Sequence, residues 1–363
     1  IYADTRFCVR IFRFYFVSHL QLKIMINKFC FFTAVVFSII GSVHAKELPS
    51  LFEVSLPSAH YTNTNDGLNK AFNLLITKLS GSRSASYLWK IGDTKLNKID
   101  FVSSYALNLV NGQETLFVEF NRETLLPELR KAGIPLIGYT RPVILFLIKI
   151  DTGEAAPFYL DVNNPSNELQ SNLQLTLEDL ASERGVYLEL PSFDLEDQNF
   201  LQQTNILLSP KQYITEKFYN DAVLSIEISR VGINQWLVGG DLNSASLLQD
   251  DQIVGVLTKE LQLFLDNFIA VEPLAPGASG DEILLSIKGL DSFEDFLVVE
   301  EELAKIFAIK SKAFHSFDRS QIEYKAQLFQ TTASLLKELR GNSKLLFKQL
   351  NQEEQTLYLE YLN

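Results

Sequence analysis

The chain has one methionine, two cysteines and four histidines in 363 residues. These scarcities exclude more chemistry than any motif adds. Both cysteines, Cys8 and Cys30, and two of the histidines, His19 and His44, precede Lys46. From Lys46 onward a disulfide, a thiolate nucleophile and a cysteine-ligated metal are therefore excluded. His60 and His315 lie far apart and show no His-Glu-x-x-His spacing, which argues against a zinc site. Neither a Gly-x-Ser-x-Gly elbow nor a Walker A sequence occurs. The residues thus point to no catalytic group, no metal and no cofactor.

The lone methionine, Met25, is followed by Lys28, by the apolar run Phe29–Ile40 and by Val43-His44-Ala45. A positive start, a short apolar stretch and small residues at −3 and −1 form the layout of a secretory signal peptide. It is predicted over residues 25–45, with cleavage between Ala45 and Lys46. The apolar run falls short of the about 20 residues of a spanning helix, so the mature chain is expected to carry no transmembrane anchor. Residues 1–24 read as an upstream extension from a mis-called start, or alternatively as a long n-region. Neither version enters the fold.

The net charge is −12 over the whole sequence. Taking away the five basic and one acidic side chains that precede Lys46 moves it to −16. An acidic surface of this kind repels nucleic acid, whose binding rests on Lys and Arg contacts to phosphate, and repels anionic lipid headgroups.

Hydrophobic periodicity predicts a mixed α/β chain of tandem small units. In residues 46–141 a strand at Leu51–Pro57 precedes a helix carrying Leu68, Ala71, Phe72, Leu75 and Leu79 on one face. Asn111-Gly112 then joins two alternating runs as a hairpin, and a helix from about Arg122 to Lys131 completes a β-α-β-β-α order. Residues 142–270 form a central unit. Its first strand, Val143–Ile148, is apolar without alternation, as a strand buried on both faces would be. The Pro- and Gly-rich stretch 271–280 is the clearest linker. Residues 281–343 repeat the β-α-β-β-α order, with His315 expected on the strand face of Phe307, Ile309, Ala313 and Phe317. Residues 344–363 read as a tail or a last packing helix.

Several spaced motifs carry a family likeness. They are Leu51-Phe52-Glu53-Val54, Lys78-Leu79-Ser80-Gly81, Gly133-Ile134-Pro135 with Gly138 and Arg141-Pro142, Arg184-Gly185-Val186, Leu190-Pro191, Asp194-Leu195-Glu196-Asp197, and Asp221-Ala222-Val223-Leu224 before Trp236. Over residues 50–240 the chain resembles an uncharacterised exported family of Gram-negative bacteria, domain of unknown function 2066. The resemblance implies a periplasmic protein and supplies no catalytic residues. The middle unit also looks like the TolB N-terminal and CsgG-like domains of envelope assembly factors, a likeness of fold that says little about function.

Two ligand-binding candidates remain. Arg141 stands at the mouth of the buried strand, where its guanidinium would clamp a carboxylate or phosphate, or else form an internal salt bridge. Asp194, Glu196 and Asp197 would offer oxygens to a calcium ion, or else form a solvated turn. The function expected is that of a non-enzymatic interaction or accessory protein in a cell-envelope process, with envelope or periplasmic proteins as partners. The alternative is a carboxylate-based hydrolase or a small-anion or glycan-binding module of the periplasm.

Overall fold

The computed structural model describes residues 46–363 except 94–96, 111, 164–167, 203–208, 243–245, 270, 272–279, 341 and 363. The expected signal peptide, the extension before it, Asn111 and most of the 271–280 linker lie outside the described residues. Among those described, the chain is mixed α/β, with nine α-helices and four mixed or antiparallel sheets. No helix among them is long and apolar enough to cross a membrane.

The N-terminal part runs β1 (Lys46–Glu47), β2 (Glu53–Pro57), α1 (Thr64–Ser80), α2 (Ala85–Asp93), β3 (Val102–Val110), β4 (Gln113–Phe120), α3 (Arg122–Lys131) and β5 (Thr140–Arg141). Asn63 caps α1 by accepting from the Asp66 amide, and Gly81 ends it at φ 66°. A side chain at Gly81 would meet the Ile269 carbonyl at 2.9 Å, so only glycine lets the chain turn there against its neighbour. Strands β2, β4 and β3 form one antiparallel sheet in that order. Leu116, Val118 and Phe120 alternate along β4 and are buried beneath α1 and α3 with Leu68, Phe72, Leu75, Leu125 and Leu129.

The central part contains β6 (Val143–Asp151), β7 (Phe158–Tyr159), α4 (Glu168–Arg184), β8 (Tyr187–Glu189), α5 (Leu195–Gln202), α6 (Pro210–Lys217), β9 (Ala222–Gly232), β10 (Gln235–Gly240), β11 (Ser246–Leu248) and α7 (Ile253–Phe268). Its sheet has the order β11-β10-β9-β6-β7, with β8 also on β6. The unalternated run of β6 has the reason expected of it. Ile144, Phe146 and Ile148 pack in the core that holds α4 and α7, while Val143, Leu145 and Leu147 pack in a second core with Phe193 and Ile214.

The C-terminal part contains β12 (Glu282–Lys288), α8 (Phe293–Lys305), β13 (Ile309–Asp318), β14 (Gln321–Leu328), α9 (Thr332–Leu339), β15 (Leu345–Asn351) and β16 (Thr356–Tyr361). Residues 344–363 correct the expectation of a tail or helix. They form the β15–β16 hairpin, and β16 pairs in parallel with β12 to complete the sheet β13-β14-β12-β16-β15. Leu357, Leu359 and Tyr361 alternate into the core, and this burial holds the hairpin in place. The face of β13 also differs from the simple alternation expected. The register shifts between Phe314 and Ser316, so Phe314 and Phe317 share the core face, Ala313 lies on the other, and His315 is an exposed bulge residue.

The parts are joined by side chains that cross between them. Phe307 of the C-terminal part is buried in the N-terminal core, against Phe52 and Tyr139. Arg184 of α4 is fully buried, donating to the Gly81 carbonyl at 2.8 Å and to Asp266 of α7 at 2.6 Å, and Arg83 reaches the same carboxylate at 2.7 Å.

Candidate functional site

Arg141 is buried to 1% exposure rather than presented at a strand mouth. The β1–β5 pairing and the start of β6 enclose it. Its guanidinium donates to the Lys78 and Ile137 carbonyls, each at 2.9 Å. Burial pulls it down to about 10, against the raising charge of Glu338. Two of its N–H groups are spent on these carbonyls, while its Nε–H is buried without a partner; no ion pair to it forms among the described residues, and a side chain this enclosed presents no clamp to an outside anion. Beside it, burial pulls the Lys78 ammonium down to about 8, with the Arg141 charge acting in the same direction. Lys78 donates to the Ser50 and Glu53 carbonyls at 2.7 and 3.0 Å.

Glu338, which sequence reasoning missed, faces this arginine from α9. Its two oxygens accept from the Phe307 and Ala308 amides at 2.7 and 3.0 Å. Gly138 leaves room for it, since a Cβ there would lie 2.4 Å from Oε2. Burial pushes this carboxyl up to about 7 even though both amides and the Arg141 and Arg130 charges pull it down. Arg130 lies over the Phe329 ring at 4.2 Å and reaches the Phe307 carbonyl at 3.4 Å. The whole constellation is a joint between the N- and C-terminal parts.

The acidic candidates lie elsewhere and share no partner with Arg141. Asp194 and Asp197 exchange reciprocal bonds, each side chain accepting the other's amide at 2.8 and 3.0 Å, and thereby start α5. The solvated turn is thus a helix start with one buried member. Asp197 is 1% exposed and accepts from the Tyr213 hydroxyl at 2.5 Å and from Lys217. Burial pushes its carboxyl up, but the Lys217 and Tyr213 bonds outweigh this and hold it below the usual carboxylate range. Glu196 is exposed beside them. Among the described residues no group of three His, Cys, Asp or Glu is placed to hold a metal ion. Lys46, at the expected cleavage point, is exposed in β1 and pairs with Glu189, while Ala45 lies outside the described residues. His60 is also exposed.

What remains open to a partner is sheet edge. In the N-terminal sheet β3 is the edge strand, and Tyr105, Leu107 and Leu109 are 55%, 48% and 77% exposed. They stand opposite Val118, Leu116 and Glu114. Residues opposite one another share a face, so these three extend the core face beyond the cover of the helices. In the C-terminal sheet β13 occupies the matching edge, the second strand of its unit, paired only with the third. Phe314 and Phe317, 63% and 55% exposed, again lie on the core face. Glu300 of α8 binds Lys312 and the Tyr324 hydroxyl. Leu297 and Phe293 stand on the same stripe of α8 one and two turns earlier and are exposed as well. The alternation of Tyr105, Leu107 and Leu109 could have shown the first edge from sequence. The bulge that turns Phe314 inward left no such signal.

Compared with protein-family models, with curated proteins and with solved structures, the chain matches none.

Proposed function

We propose that this chain is an exported periplasmic protein that works by contact, as an accessory or scaffold in a cell-envelope process. The observation that carries the reading is the set of apolar side chains left uncovered on the core face at two sheet edges, Tyr105, Leu107 and Leu109 on β3 and Phe314 and Phe317 on β13. An unguarded edge such as β3 offers unpaired amides and carbonyls that an extended segment completes, and the exposed rings of β13 offer apolar surface to a partner. Supporting it, three of the charged groups singled out in the sequence, Arg141, Asp194 and Asp197, are engaged in internal bonds, while Glu196 is exposed. Arg141 serves backbone carbonyls, and Asp197 serves a helix start, Tyr213 and Lys217. The layout of residues 25–45, the resemblance of residues 50–240 to the exported family, and the likeness of the Asp221–Leu224 and Trp236 strands to TolB N-terminal and CsgG-like domains point the same way.

Photo-crosslinking from single positions in intact cells tests this. A crosslinker at Phe314 or Leu109 should yield discrete adducts with envelope proteins or with this chain, while one at Lys325, on the polar face of the C-terminal sheet, should not. A chain that forms no adduct under any condition, and that when purified turns over a cell-wall fragment, would overturn the reading.

A further inference from the structure

Apart from β3, every sheet edge among the described strands carries a feature that discourages pairing with another chain. Strands β1, β5, β7, β8 and β11 are two or three residues long. Strand β2 begins on Glu53 and ends on Pro57. Strand β13 carries Lys310, Lys312 and two register shifts, and β15 carries Lys348 and one. Short length, charge, proline and bulges are how soluble sheets guard their edges. Strand β3 has none of them from Ser104 to Val110, its one irregularity lying earlier, between Val102 and Ser104. We propose that this edge pairs antiparallel with the same strand of a second copy of the chain, with Leu107 on the two-fold axis.

Charge selects the occupant. Two copies of a chain with net charge −12 repel one another, and they approach most easily where neither carries charge. A neutral, apolar strand is best met by another neutral strand, and β3 itself is one. The register closes without conflict. With Leu107 opposite Leu107, Tyr105 meets Leu109 of the second copy, Ala106 meets Asn108, and Ser104 meets Val110. Side chains alternate along a strand, so each pair comes from matching faces and both helical layers lie on one side of a six-stranded sheet.

Space permits this. Helix α1 packs over β2 and β4 and leaves the core face of β3 open. Three strand spacings of about 4.8 Å separate the two β4 strands by ~14 Å, more than the about 8–10 Å at which helices pack. The trough between the two α1 helices is then filled by six side chains, Tyr105, Leu107 and Leu109 from each copy.

This inference rests on the reading that open edges are the working surfaces, and it names the occupant of one of them. Its test is the mass of the full chain by light scattering and sedimentation across the micromolar range. The parent should be a dimer that dissociates on dilution. Leu107→Lys and Leu107→Glu, at a half-exposed position, should each keep the parent's unfolding transition and raise the dimer Kd on the order of a hundredfold, because like charges directly opposite repel. Mixed in equal amounts, the two variants should dimerise again, since the axis sets position 107 against itself. Amide exchange over residues 104–110 should be slow in the parent dimer and fast on dilution. A parent that stays monomeric, a dimer that survives in both variants, or a mixture that stays monomeric would each overturn the self-pairing. A monomer that still yields envelope adducts from Phe314 would leave the contact reading standing, whereas a monomer with no adducts would remove both.

Discussion

Glu338 makes stability depend on pH in a window where exposed carboxylates no longer titrate. Its ordinary value is 4.5, and burial raises it to about 7 in the folded chain. Between those values the folded state holds a proton that the unfolded state has released, so folding takes up a proton and stability rises as pH falls. The shift corresponds to roughly 3.4 kcal/mol at 1.36 kcal/mol per unit. It is fully present below pH 4.5 and lost as pH rises through 7. Between pH 8 and pH 5 the linkage relation realises about 2.5 kcal/mol of it. Urea unfolding at pH 5, 6, 7 and 8 would measure this, with Glu338→Gln as the partner experiment. Glutamine keeps one acceptor oxygen but leaves the Phe307 or Ala308 amide unpaired, at a cost of about 1–3 kcal/mol at every pH. Its curve should be flat where the parent's slopes. A flat parent, or a variant with the parent's slope, would refute the assignment, because the proton would then be absent or bound elsewhere.

Three further outcomes follow from the same geometry. Asp266→Ala leaves Arg184 buried without its carboxylate and should cost about 3–5 kcal/mol in chemical unfolding, with activity or binding irrelevant to the readout. Phe307→Ala removes the ring that the C-terminal part buries in the N-terminal core and should cost about 3–5 kcal/mol; a loss below 1 kcal/mol would mean that the joint is held by its arginines alone. Asp197→Asn weakens the start of α5 and the Tyr213 and Lys217 bonds and should lower the melting temperature, whereas millimolar calcium should leave the parent's melting temperature unchanged. A calcium-induced rise that Asp197→Asn abolishes would restore the metal reading of Asp194, Glu196 and Asp197.

Some of this was legible in the residues because the physical cause is local. Val143–Ile148 lacks alternation because both of its faces meet a core. Gly112, at φ 80°, supplies the turn that its dipeptide promised, and the apolar stripe of Ile253, Leu257, Leu261 and Leu265 is the buried face of α7. Other features have distant causes. Nothing near Arg141 shows that one of its donors is taken by the carbonyl of Lys78, 63 residues away. Nothing near Glu338 shows the Phe307 and Ala308 amides or the gap at Gly138. Three acids within four residues read as a hydrated turn, because only the placement of Tyr213 and Lys217 reveals that Asp197 is buried. The tail was misread because its polar residues dominate the stretch, although Leu357, Leu359 and Tyr361 keep the period of two that a strand requires.

The buried joints bear on how the edges are used. Phe307 in the N-terminal core, the Glu338–Arg141 constellation and the Arg184–Asp266–Arg83 cluster tie all three parts together without a covalent cross-link. The two arginine joints pair a buried charge with backbone or carboxylate acceptors, so loosening either leaves a charge unsatisfied at a cost of several kcal/mol. The β3 and β13 edges are therefore held on one frame rather than on swinging modules. A dimer joined through β3 carries two copies of the exposed Phe314 and Phe317 of β13 on that frame, at a separation set by the fold. Two linked sites capture a partner bearing two apolar segments at an effective concentration fixed by geometry. A partner with a single segment gains nothing from the second site, so Leu107→Lys should weaken capture of a two-segment partner while leaving binding of an isolated apolar segment at Phe314 and Phe317 unchanged.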